Sequence, residues 1–382
     1  MDITPRSASD GLDELRDLRA TVRRFVQTEL VPNEARWARQ QHVDRATWEK
    51  AGALGLLLAD IPEVYGGAGG SVAHQVAIAE EFAESDSTAG FLVHSIVAHY
   101  LLNQGTEQQK LRYLPRLASG EMISAIAMTE PGTGSDLQSV RTRAVRDGDT
   151  LVLNGSKTFI SNGSMADLIV VVARTGEREA GRGISLLLLE TRGAAGFRVG
   201  RVLEKIGQHS QDTSELFFDD VRIPADAVLG GEPGRGFPQL MTELTYERVL
   251  IGVTTVVAIE RAVRLTIAYV QEREAFGRKL IEFQNTRFVL AEAKTNAVVA
   301  RSFIDRCVAD LAAGRIDAST ASMAKWWTTE LQCKVIDACL QLFGGYGYMT
   351  EYPIARMYAD ARVQRIYGGT TEIMKELIAR SL

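Results

Sequence analysis

The chain has 382 residues, and 43 Lys and Arg against 48 Asp and Glu give a net charge of −5. That length suits two or three domains with a large core, and 46% hydrophobic with 24% charged residues is the balance of a soluble globular protein. Mild acidity argues against a nucleic-acid or anionic-membrane partner, and three Cys with five His leave little for a disulfide framework or a metal site.

The start, 1–11, is polar and has no apolar h-region, so no secretory signal is expected. Val249 to Ile259 comes closest to a membrane span, but Glu260 and Arg261 follow at once, and a buried helix explains it better. Cys307, Cys333 and Cys339 show no CxxC spacing and read as inert buried thiols in a reducing compartment. The expectation is a cytoplasmic protein that is not integral to a membrane.

Three parts follow in chain order, expected as domains over 1–122, 123–232 and 233–382. In the first, Leu12, Leu15, Leu18, Val22 and Phe25 lay one apolar stripe along a helix. Further helices are expected at 48–58, 72–82 and 89–102, with a Pro/Gly loop at 61–70. Pro32 need not mark a sharp stop. In the second part, runs at 139–145, 150–153, 168–173, 184–189, 197–202 and 215–218 read as strands. Asp147-Gly148 is a hairpin signal between the first two. Six or seven short strands predict a small antiparallel barrel or sandwich. In the third part, 237–272, 283–313, 318–343 and 371–382 carry helical periods and predict a four-helix bundle. The fold class is therefore α+β and multi-domain.

Several segments carry two readings each. Met128-Thr129-Glu130-Pro131-Gly132-Thr133-Gly134-Ser135 follows a strand and can offer backbone N–H groups and hydroxyls to a ligand, or be an ordinary Pro-Gly turn. Phe159-Ile160-Ser161 can pack against a flat heterocycle, or simply end a strand at Asn162-Gly163. The glycines 344, 345 and 347 can cap the helix before them. Thr370 or Thr371 is placed as an N-cap, and a helix N-terminus is also an anion site. Arg273, between two long helices, can pair with phosphate or stay solvated. Glu247 in an apolar helix is either at the solvent edge or a buried carboxyl of raised pKa, fit to be a general base.

Taken together, in this order and spacing, the segments resemble the acyl-CoA dehydrogenase family along nearly the whole chain. Gly344-Gly345-Tyr346-Gly347-Tyr348-Met349 and Ile366-Tyr367-Gly368-Gly369-Thr370-Thr371-Glu372-Ile373-Met374-Lys375-Glu376 are most similar to its long-chain branch. The resemblance implies a helical domain, a β-domain and a C-terminal four-helix domain, a tightly held FAD, and a homotetramer built as a dimer of dimers. It places Met128, Thr129, Gly134 and Ser135 on the flavin and ribityl chain. Phe159, Ile160 and Ser161 would line the ring. Arg273, Phe276, Gln284, Gln341 and Gly345 would reach the FAD of a neighbouring subunit. Thr370 and Glu372 would sit near the FAD pyrophosphate and adenosine portion. Ser135, Thr245, Tyr246, Arg248 and Gly368 would meet the acyl-CoA substrate.

Many members of that family carry the catalytic Glu directly after the Ile-Tyr of the last motif, where this chain has Gly368. The long-chain and isovaleryl branches instead place it on the long helix before an Arg, which here is Glu247. The implied reaction is α,β-dehydrogenation of an acyl-CoA to the trans-2-enoyl-CoA. Glu247 would remove the α-proton, the Gly368 N–H would steady the enolate oxygen, and hydride would pass to flavin N5. Medium-to-long chains and an electron-transfer flavoprotein as acceptor are expected. The alternatives are a short branched-chain, isovaleryl-type dehydrogenase, or an acyl-CoA oxidase or flavin monooxygenase on the same fold.

Overall fold

The structure is a computed structural model that describes residues 13–85, 87–176 and 183–382. The polar start and Leu12 of the expected stripe lie outside the described residues. Helix α1 (Asp13–Phe25) turns Leu15, Val22 and Phe25 inward. The chain stays helical past Pro32: a wide turn, Val26–Leu30, and a 3-10 turn, Val31–Asn33, lead into α2 (Glu34–Gln40). Pro32 falls in the first turn of that piece, where its missing N–H costs nothing.

Helix α3 (Arg45–Ala53) starts before and stops short of the expected 48–58, because Gly55 turns the chain at φ +70°. Helices α4 (Val72–Ala83), α5 (Phe91–Gln104) and α6 (Glu107–Ala118) complete this part. The Gln109 side chain of α6 donates to the carbonyls of Asp226 and Val228 at 2.9 and 2.8 Å, which ties the helices to the sheet.

The sheet has seven strands: β1 (Ser124–Ala127), β2 (Arg143–Asp147), β3 (Thr150–Ser161), β4 (Leu168–Arg174), β5 (Ile184–Glu190), β6 (Phe197–Val202) and β7 (Thr213–Pro224). The order is β1-β4-β2-β3-β7-β6, with β5 on β4. β2 and β3 form the expected hairpin, with Gly148 at φ +62°. Pairing is antiparallel except at two places: β1 runs parallel to β4, and β2 meets β4 in parallel at Arg143 and Arg174. A parallel partner needs a long connection, and the stretch between β1 and β4 that supplies it includes the Met128–Ser135 loop. The expected strand 139–145 begins later, after a 3-10 turn at Leu137–Ser139.

Helices α7 (Gly236–Glu272), α8 (Gln284–Ala312) and α9 (Ala318–Phe343) pack on one another. A short hairpin, β8 (Glu274–Ala275) and β9 (Arg278–Lys279), joins α7 to α8. Helices α10 (Pro353–Ala361) and α11 (Thr371–Ala379) lie on α9 and fill the fourth side. α10 was not among the expected helices, although Pro353 at its first turn and buried Ile354, Met357 and Ala361 mark it. The two helical parts are clasped by buried charge. Arg301 of α8 pairs with Glu80 of α4 at 2.5 Å and with Glu260 of α7 at 2.7 Å, and Arg19 of α1 pairs with Glu80 and Glu81.

Candidate active site

Glu247, Ile251 and Thr255 stand at i, i+4 and i+8 on one face of α7. The segment after α10 is laid along that face. Thr255 donates its hydroxyl to Gln364 at 2.6 Å, and Arg248 Nε donates to the Gly368 carbonyl at 3.2 Å. Helix α9 grips the same segment from the other side. Lys325 Nζ donates to the Gly369 carbonyl at 2.7 Å, and Arg365 and Thr371 both donate to Glu330 at 2.8 Å. The turn so held has Gly368 at φ +64° and Gly369 at φ +99°, a conformation that favours glycine. Of the two candidate N-caps it is Thr370 that caps α11, accepting from Ile373 N at 3.4 Å.

The two halves of the expected site therefore meet. A Cβ on Gly368 would stand 3.3 Å from Glu247 Oε1 and 2.8 Å from Ile251 Cδ1. The Glu247 carboxylate fills the space that a side chain at 368 would enter. Burial pushes the Glu247 carboxyl up to about 6, and the Arg248 and Lys325 cations partly offset that rise. Lys325 is fully buried, and burial together with Arg248 brings it down to about 8. Tyr100 of α5 faces the same charges; burial and the Glu247 charge push its phenol up.

The sheet contributes a second group. Thr158 N donates to the Thr129 carbonyl at 2.9 Å, which sets the Met128–Ser135 loop beside the Phe159–Ser161 strand end. Lys157, buried beneath, donates to the Met128 carbonyl and to Glu130 Oε1, each at 2.9 Å. Glu130 in turn accepts Arg141 N at 2.7 Å and Thr142 N at 2.9 Å. With its base so braced, the loop leaves Gly134 and Ser135 exposed, and nothing lies within 4 Å of a Cβ on Gly132 or Gly134. Phe159 is 66% exposed at φ +59°, an uncommon conformation for an aromatic residue, while Ile160 is buried and Ser161 half-buried.

A third group lies apart from the other two. Arg273 is 26 residues beyond Glu247 on the α7 path, about 39 Å along the helix. Arg273, Gln341 and Gly345 line a cleft of about 510 Å³ with Tyr269, Phe343 and Tyr346. The Arg273 guanidinium lies 5.5 Å from the centre of the Tyr346 ring. Gly344, at φ +60° and ψ −137°, ends α9 with its N–H on the Gln341 carbonyl, a backbone that favours glycine although it is not the left-handed helical cap. Phe276 stands at the tip of the β8–β9 hairpin, 96% exposed and at φ +56°, and Gln284 is exposed at the start of α8.

Thr245 is half-buried, one residue from Tyr246. Tyr246 is buried against α5, stacked on His99 at 3.9 Å with its hydroxyl donating to Asp60 at 3.3 Å. Glu372 is exposed in the first turn of α11, where its own backbone N–H and the Thr370 hydroxyl hold its carboxyl below the usual range.

Comparison with known proteins decides the family. Models described as the N-terminal, middle and C-terminal domains of acyl-CoA dehydrogenase match residues 12–121, 125–221 and 234–382. The chain belongs to the acyl-CoA dehydrogenase family. Among its acyl-CoA dehydrogenase relatives, the long-chain specific enzyme of Sus scrofa is 50% identical over 368 residues, covering 95% of this chain and 85% of that one. The isovaleryl-CoA dehydrogenase of Pongo abelii is 33% identical, covering 98% and 90%. The crystal structure of acyl-CoA dehydrogenase from Geobacillus kaustophilus matches with a TM-score of 0.95 at 44% identity, over 98% of this chain and 99% of that one. As a member of this family the chain is an oxidoreductase.

Four side chains near these acyl-CoA dehydrogenase motifs escape a reading by motif. Lys157 and Glu130 brace the loop, Tyr100 sits under Glu247, and Lys325 holds the glycine turn. Lys325 does leave a signal: it falls on the buried stripe of Ala321, Thr328 and Gln332, where a charged residue is out of place. Among the described residues, no helix is long and apolar enough to cross a membrane, and no group of His, Cys, Asp and Glu could hold a metal ion.

Proposed function

We propose that this chain removes the α-proton and the β-hydrogen of an acyl-CoA thioester to give the trans-2-enoyl-CoA, with Glu247 as the base. The observation that carries the reading is the Glu247 carboxylate filling the volume beside Gly368. A carboxyl of pKa about 6 is ionised at neutral pH yet more basic than an ordinary Glu, which suits removal of a weakly acidic α-proton. None of the described residues donates a hydrogen bond to it, so its lone pairs are free to accept that proton. The Gly368 N–H, in a turn held by Arg248 and Lys325, is offered to the thioester carbonyl oxygen as negative charge develops there. Losing one such donor raises a barrier by about 3–4 kcal/mol.

FAD fits the residues present. The open cradle at Gly132 and Gly134, the hydroxyls of Thr129 and Ser135, and the exposed Phe159 ring suit a flat heterocycle and its ribityl chain. When bound, FAD supplies the acceptor for the β-hydrogen. The separate cluster of Arg273, Phe276, Gln284, Gln341 and Gly345 would then serve the cofactor of a neighbouring copy, while Thr370 and Glu372 would lie toward the FAD pyrophosphate and adenosine. That division of labour supports an assembly of at least two copies, and the homotetramer built as a dimer of dimers is what the family resemblance implies. Ser135 and Arg248 position the CoA portion in the same reading, with Thr245 and Tyr246 behind them.

Identity to long-chain enzymes supports medium-to-long acyl chains and a place in fatty-acid β-oxidation, and the family resemblance implies an electron-transfer flavoprotein as acceptor. Three free cysteines fit a reducing setting. The second reading is a short branched-chain substrate, favoured by the likeness to an isovaleryl-CoA dehydrogenase. A chain-length series with an artificial electron acceptor, read as kcat/KM, separates the two; a maximum at isovaleryl-CoA overturns the first. Peroxide release without an added acceptor would mark an oxidase. Glu247→Gln is expected to keep FAD and acyl-CoA binding while substrate no longer bleaches the flavin, and normal bleaching in that variant would refute the base.

A further inference from the structure

Lys325 stands where the glycine turn and the Glu247 carboxylate meet. It lies on the inward face of α9 with no exposure to solvent, its Nζ donates to the Gly369 carbonyl at 2.7 Å, and its Cε is 3.9 Å from a Cβ placed on Gly368. A buried ammonium is costly unless negative charge answers it. The carboxylates facing it are Glu247 on α7, Glu330 on α9 and Glu372 on α11, and Arg248 on α7 is the neighbouring cation. Glu330 is already held by Arg365 and Thr371, and Glu372 by the first turn of α11. Glu247 is the carboxylate left for it, and Tyr100 of α5 and Tyr367 of the turn are the other titratable groups that face Glu247.

The arrangement is not a salt bridge, and that is what makes it useful. A direct fork on Glu247 would occupy the lone pairs that must take the α-proton and would depress its basicity. A cation one layer away, anchored on a carbonyl, leaves both oxygens free and still favours the ionised form. The same anchor fixes the turn that carries the Gly368 N–H.

We propose that Lys325 is a positioning residue of the reaction: it holds the Gly368–Gly369 turn by a carbonyl and, by its charge, keeps Glu247 ionised without binding it. This rests on the reading of Glu247 as the base. Three variants of the FAD-loaded enzyme separate the parts. Lys325→Arg keeps charge and donor, Lys325→Gln keeps a donor without charge, and Lys325→Met removes both. The pH dependence of single-turnover flavin reduction is measured for each. The Glu247 carboxyl is titrated in parallel by its infrared C=O band, assigned by its loss in Glu247→Gln.

In Lys325→Gln and Lys325→Met the acidic limb and the infrared midpoint are expected to rise together by about one pH unit, and in Lys325→Arg to stay near the parent value. Unmoved midpoints in the neutral variants overturn the proposal. So does failure of both neutral variants to fold while Lys325→Arg folds and keeps the parent limb, because the lysine would then serve folding alone. If the base is misassigned, Glu247→Gln still reduces flavin, which is a different result from any of these.

Discussion

Glu247 and Gly368 share one volume, reached from two sides: a Cβ on Gly368 would stand 3.3 Å from Glu247 Oε1. One comes from the long helix α7 and the other from the turn before α11, 121 positions later in the chain. A carboxyl carried by either could occupy the space between them. What differs is backbone: position 368 is left-handed, and 247 is an ordinary helical site.

The base should therefore be movable. Glu247→Gly combined with Gly368→Glu is expected to recover a measurable fraction of the flavin reduction lost in Glu247→Gly alone. The recovery will be partial, because a Cβ at 368 meets Ile251 Cδ1 at 2.8 Å and a non-glycine residue at φ +64° is strained by about 1–2 kcal/mol. Gly368→Glu with Glu247 retained is expected to lose both activity and thermal stability. Stopped-flow reduction by acyl-CoA and a melting curve check both.

Much of this was legible in the residues, for reasons that differ by element. Helices α7, α8 and α9 show long apolar periods, so their existence follows from pattern. Gly368 with Glu247 is a pair of complementary signals, one carboxylate missing and another present, and the fold puts them side by side. Lys157 is silent in the residues, and Lys325 shows only as a charge out of place on the buried stripe of α9, because burial of a lysine depends on partners brought from elsewhere in the chain: Glu130 for the first, the Gly369 carbonyl for the second. The parallel β1–β4 pairing was hidden for the same reason, since strand direction belongs to topology and not to local propensity.

The raised Glu247 carboxyl predicts two opposite effects of pH. In the folded chain it titrates at about 6 against an ordinary value of 4.5, so the folded state holds the proton more tightly. Wild-type stability is then lost as pH rises from about 4.5 to 6, and the full penalty, about 1–2 kcal/mol, is present above that range. Glu247→Gln is expected to be more stable than wild type by about that amount at pH 8, with the advantage gone below pH 4.5. Flavin reduction by the wild type should climb through the same pH window in which stability falls. Denaturant titrations at several pH values, set against single-turnover rates, check the crossing.

Lys157 should matter for cofactor retention although it touches no exposed surface. Lys157→Met removes the donor to the Met128 carbonyl and leaves Glu130 without its cation. The variant is expected to lose about 3 kcal/mol of stability and to release FAD more readily, with activity partly restored at high added FAD. Flavin fluorescence after dilution measures the release.

Arg301 tests the clasp between the helical parts. Arg301→Met leaves Glu80 and Glu260 buried without that partner, a loss of about 3–5 kcal/mol. Because Arg301 is remote from Glu247, the variant that remains folded should keep wild-type KM and a wild-type pH limb. A change in either would show that the clasp reaches the site.

The shared volume at 247 and 368 also bears on descent. An ancestor with carboxylates at both positions would crowd two negative charges into a space for one, and one of them would have to keep its proton. An ancestor with neither would have no base there at all. Both intermediates are poor, so the crossing should be rare, which accords with the resemblance that sets branches of the family apart by which of these two positions carries the acid.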